Sequence, residues 1–147
     1  MSVHRPAGDD GSVLLLVVGL FVLLLGLVGV VVDVSAVVLS RRALASSADG
    51  AAISAAQALD YQVFYAQGPG RGVPLSEVGV RERVAGYQAD VAGDQPGLQM
   101  SARVEAGYTV VVTARRTVAL PVGAGWLGIG DVELSTVARA RAPLTPP

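Results

Sequence analysis

The chain has no cysteine, no lysine and no asparagine, and a single histidine. Without cysteine there is no disulfide framework, no thiol nucleophile and no cysteine-based zinc or iron–sulfur site. His4 lies in the first polar stretch, where neither a catalytic triad nor a histidine-rich metal site can be built around it. Charge is scarce too: charged residues make up 16% of the chain, and 11 arginines against 12 acidic residues leave a net charge of -1. No general positive field is available to hold a polyphosphate, so no nucleic-acid partner is expected. At 147 residues the chain has room for one compact domain and little more.

What is abundant is apolar. Hydrophobic residues reach 52% and the mean hydropathy is +0.53, a balance unlike that of an ordinary soluble domain or a disordered one. The excess is concentrated in residues 12–32, SVLLLVVGLFVLLLGLVGVVV, which carry no charge. At 1.5 Å per residue this run covers the roughly 30 Å hydrocarbon core of a bilayer, which predicts a transmembrane helix. A cleavable secretory signal has an apolar stretch of about 7 to 15 residues and a small-residue cleavage site. This run is longer, and no tight Ala-x-Ala site follows it directly.

From Asp33 to Gln67 there is no proline and Gly50 is the only glycine, so the helix is expected to run past the bilayer and stop at Gly68-Pro69-Gly70. Along it Gly19, Gly26, Asp33, Ser40, Ser47 and Ser54 recur every seven residues, interleaved with Val22, Gly29, Ala36, Ala43 and Gly50. Small side chains let helix backbones approach closely where lipid supplies no hydrophobic drive, so this heptad seam is read as a packing surface. Asp33 falls about 32 Å along the helix from Ser12, near the far interface. Either it is hydrated there, or it lies deeper and meets a partner, since no arginine stands three or four residues away.

Beyond the Gly/Pro-rich loop, Ser76 to Ala92 sets Val80, Val84, Tyr87 and Val91 at helical spacing and predicts a short amphipathic helix. Residues 98–105 alternate with period two, Ala106-Gly107 is a turn signal, and residues 108–120 and 132–142 read as two further strands. The expected fold is α+β and membrane-anchored. A polar leader spans 1–11, the transmembrane helix and its extension 12–67, and a small domain with a helix and a three-stranded antiparallel sheet 68–147. The long helix is expected to cover part of the sheet.

The order of elements in residues 9–60 resembles the N-terminal region of the TadE/TadG-like family of tight-adherence (Flp) pilus-assembly proteins. The matching elements are Gly11-Ser12 before the span, Val32-Asp33-Val34, Arg41-Arg42, and Ala48-Asp49-Gly50-Ala51-Ala52. The 87 residues after this region match in architecture only. The resemblance implies a pilin-like, non-catalytic component of a pilus or its assembly machinery. It would be held in the cell membrane by one helix, with the N-terminus cytoplasmic and the C-terminal domain outside. Its implied partners are membrane lipid and, through the N-terminal helix, other pilus or assembly proteins. Gly11-Ser12 is the candidate processing site for a prepilin-type peptidase. Such precursors carry Glu five residues after the cleaved glycine, and here that position is Leu16, so the leader is expected to stay on. The helix-packing candidates are Gly19, Gly26, Gly29, Asp33, Ala36 and Ser40. A second reading is a single-span anchor whose outer domain binds another envelope component.

No further chemistry emerges from the motifs. Residues 68–72, GPGRG, lack the preceding strand and following helix of a phosphate loop. Asp9, Asp10, Asp90 and Asp94 have no positioned partner as an acid/base pair. Arg103, Arg115, Arg116, Arg139 and Arg141 form either a basic stripe on one sheet face or a guard against edge aggregation. No catalytic residue, cofactor, metal or small-molecule substrate is expected.

Overall fold

The computed structural model describes residues 9–67, 73–122 and 131–142. The residues expected to form most of the leader, the GPGRG loop, most of the Trp126-bearing loop and the C-terminal tail lie outside these. Among the described residues, three helices and three strands follow in the order α1 (Asp9–Ala55), α2 (Tyr61–Gln67), α3 (Glu77–Val91), β1 (Gln99–Glu105), β2 (Thr109–Val118) and β3 (Val132–Arg141). The fold is α+β, with a long apolar N-terminal helix, further short helices and one antiparallel sheet.

Helix α1 is 47 residues, about 70 Å of helix at 1.5 Å per residue. It stops at Ala55, twelve residues before the expected end. No breaker residue is responsible. The chain is instead drawn into tertiary pairing: Leu59 forms a β-bridge with Leu75, and the Asp60 N–H donates to the Pro74 carbonyl at 2.8 Å. The Asp60 carboxylate then accepts from the Val63 N–H at 3.1 Å and so opens α2 as an N-cap. Helix α3 has its own cap, because the Ser76 hydroxyl accepts from the Gly79 N–H at 3.2 Å. Its buried positions are Val80 and Val84, four apart on one face.

The sheet has the order β1-β2-β3, all antiparallel. The β1–β2 turn places Ala106 at φ 52° and Gly107 at φ 77°, the left-handed pair that matches strand twist in tight hairpins. Register sets Met100 opposite Ala114, Ala102 opposite Val112 and Val104 opposite Val110, and on the other side Ala138 opposite Val112. This inner face packs on α1, whose Leu44, Ala48, Ala51, Ala52 and Ala55 are buried with Val80, Val84 and Leu98. Alanine on the helix lets the strands approach its backbone, and Leu44 and the valines fill the space between.

The long helix therefore has two unlike halves. Residues 11–28 are exposed throughout, whereas beyond Gly29 one side of the helix is covered by β2, β3 and α3.

Candidate interaction surface

The exposed half of α1 is a strongly apolar surface. Its best 18-residue window has a mean hydropathy of 3.2 and is 6% buried, and the helix is long enough to cross a membrane. The core helix of a soluble protein would have that window covered; here Leu14, Leu15, Phe21, Leu23 and Leu27 all point outward. One such helix near the N-terminus fits a single-pass membrane protein.

The candidate seam divides at the same point. At Gly19 and Gly26 an added Cβ would meet nothing within 4 Å, so both look outward. At Gly29 an added Cβ would lie 3.0 Å from Val122 Cγ1. Gly29 and Asp33 are buried, and Ala36 and Ser40 are half-buried. The same side continues through Ser47, which is buried and accepts from Gln95 Nε2 at 2.6 Å, to Gly50. There a Cβ would fall 2.8 Å from Tyr87 Cζ and closer still to its hydroxyl, so glycine is what allows the α3 tyrosine to reach the helix. From Gly29 onward the small-residue face is thus occupied by the chain's own domain, whereas Gly19 and Gly26 are exposed.

Asp33 is 8% exposed and its Oδ1 accepts from the Val122 backbone N–H at 2.8 Å. Neither sequence expectation for this residue had an intramolecular partner in it. Nearby, the Ser35 hydroxyl donates to the Val31 carbonyl at 2.7 Å, which satisfies it within the helix. Gly11 and Ser12 lie within the first turns of α1, so the candidate scissile bond is helical.

The arginines split between the two faces of the sheet. Arg103 and Arg139 flank Val111, Arg115 pairs with Gln99 and Ser135, and Arg141 pairs with Thr109, all on the face turned away from α1. Val111 is 1% exposed although it lies on this outer face. Arg103 also bonds Glu105 at 2.9 Å, an exposed pair of small energetic weight. Arg116 belongs to the opposite face with Ala114 and Val118, and its Nε is buried with no hydrogen-bond partner among the described residues. Among the described residues there is also no group of three or more His, Asp or Glu side chains arranged to hold a metal.

Residues 11–58 match the model of a protein family described as "Putative Flp pilus-assembly TadE/G-like". The matched stretch is about a third of the chain and comprises α1 from Gly11 onward and the first residues after it. It supports a role in pilus assembly. No curated protein and no solved structure matches the chain.

Proposed function

We propose that this protein is a non-catalytic, pilin-like component of a tight-adherence (Flp) type pilus or of the machinery that assembles it. It is held in the cell membrane by the exposed half of α1, with residues 1–11 in the cytoplasm and the small α+β domain outside. The observation that carries this reading is the coincidence of the family match with α1, the element that holds both the bare apolar span and the helix face that docks the domain. Partners pack along the outward-facing part of the span, where Gly19 and Gly26 permit close helix approach.

The chain remains full length. Leu16 stands where processed precursors carry the glutamate that neutralises a new N-terminus inside a helical bundle, and a free amino group at Ser12 would be costly in a low-dielectric bundle. The role is therefore that of a membrane-resident component and not a fibre subunit. Deleting the gene in its native host and counting surface pili tests the function: loss of pili, restored by the wild-type gene, is expected. Normal piliation in the deletion strain contradicts it.

A further inference from the structure

We propose that the domain touches the bilayer a second time, through residues 120–122 at the end of β2, inserted shallowly in the leaflet on its own side of the membrane. The inference rests on the reading of α1 as a membrane span. Helix α1 fixes the depth. Asp9 and Asp10 close the apolar run at one end, so a hydrocarbon slab of roughly 30 Å starting at Ser12 extends to about residue 32, and it can slide only toward the domain. Gly29 then lies about 4 to 5 Å inside the boundary at 1.5 Å per residue, and deeper if the span slides.

Val122 is at that level, because its Cγ1 is 3.0 Å from the Cβ position of Gly29 and its N–H bonds the Asp33 carboxylate at 2.8 Å. It is nevertheless 51% exposed, as an apolar side chain next to an apolar helix face. Ala119 and Pro121 are also exposed, and Leu120 is half-buried. In water such an edge would be an unexplained apolar surface; against acyl chains it continues the surface of the span. Charge follows the same boundary. No charged residue occurs between Arg116 and Asp131, whereas the rest of the outer sheet face carries Arg103, Arg115, Glu133, Arg139 and Arg141.

Insertion also explains Asp33. A backbone N–H outside regular structure is costly where water is absent, and it is tolerated at membrane depth only when another group satisfies it. Asp33 supplies the acceptor, and that bond keeps the carboxylate at the interface. Two contacts, span and strand end, fix the tilt of the sheet relative to the membrane, which one helix alone does not.

Because the chain has no cysteine, single-cysteine variants place a nitroxide cleanly. Val22→Cys, Pro121→Cys, Val122→Cys and Val137→Cys are each labelled in the full chain, reconstituted in phosphatidylethanolamine/phosphatidylglycerol vesicles. Their spin relaxation by oxygen, which partitions into lipid, and by a nickel chelate, which stays in water, is then compared. Labels at Pro121 and Val122 are expected to favour oxygen as Val22 does, at shallower depth, and Val137 on the outer sheet face to favour nickel. Val22 lipidic with Pro121 or Val122 aqueous overturns the second contact and leaves the span intact. An aqueous Val22 overturns the span itself and the inference with it. A lipidic Val137 means that the sheet lies flat on the bilayer, which also contradicts insertion at the strand end alone.

Discussion

The carboxylate of Asp33 in the long helix accepts a 2.8 Å hydrogen bond from the backbone N–H of Val122, 89 residues further along the chain. The bond joins the junction of the bare and covered halves of α1 to the end of the central strand. Asp33→Ala leaves the Val122 N–H without its acceptor, at a cost of about 1–3 kcal/mol. Asp33→Asn keeps an oxygen in place and is expected to stay close to wild type. Thermal unfolding in detergent and hydrogen exchange at the Val122 amide measure both; an Asp33→Ala protein with unchanged exchange contradicts the contact.

Gly50 in α1 lies directly against the Tyr87 side chain of α3. Gly50→Ala forces its Cβ against the tyrosine ring, and overpacking of this kind costs about 1–3 kcal/mol. Adding Tyr87→Phe removes the hydroxyl, the nearest atom, and is expected to recover part of the loss. Denaturant midpoints of the two single variants and the double variant read the coupling, and strictly additive losses count against a steric origin.

The hairpin between β1 and β2 holds Ala106 at φ 52°, where a side chain is strained by about 1–2 kcal/mol. Ala106→Gly relieves it, less the greater freedom that glycine gives the unfolded chain, for a net gain of up to about 1 kcal/mol. A lower melting temperature for Ala106→Gly contradicts the turn geometry.

Leu44 is fully buried where α1 meets the sheet. Leu44→Ala opens a cavity there and is expected to cost about 2–5 kcal/mol. Val137→Ala, at a 51% exposed position on the outer sheet face, is the matched control and is expected to cost much less. Equal losses in chemical unfolding sink the account of the core.

Much of this architecture is legible in the sequence, where the signal is local. Period-two alternation places β1 and the inner face of the sheet, helical spacing places α3, and Ala106-Gly107 marks the hairpin. The charge-free run from Ser12 to Val32 gives the one candidate span among the described residues. Three features depend on partners distant in sequence and escape such reading. The end of α1 at Ala55 follows from the pairing of Leu59 and Asp60 with Leu75 and Pro74. A heptad pattern cannot say which surface covers it, so nothing in Gly29, Ala36 or Ser40 shows that their neighbour is the chain's own domain. The role of Asp33 requires Val122, whose position depends on the whole sheet. The split of Arg115 and Arg116 between two faces is, by contrast, implicit in strand alternation once the register is known.

Gly26 and Gly29 are three residues apart and behave as opposites. Gly29→Leu collides with Val122 and is expected to disturb the fold, whereas at Gly26 there is open space and a leucine is expected to leave stability unchanged. Loss of assembly partners in Gly26→Leu, with melting temperature intact, isolates the intermolecular contact. Wild-type co-purification by Gly26→Leu counts against it.

The proposed role is tested most directly by photo-crosslinking from the bare half of the span in the native membrane. A photoreactive amino acid at Val22, beside Gly19 and Gly26, is irradiated in cells and its adducts identified by mass spectrometry. The account predicts covalent adducts with pilus or pilus-assembly proteins, reduced by Gly26→Leu. Adducts with lipid alone, in cells that make pili, would contradict it.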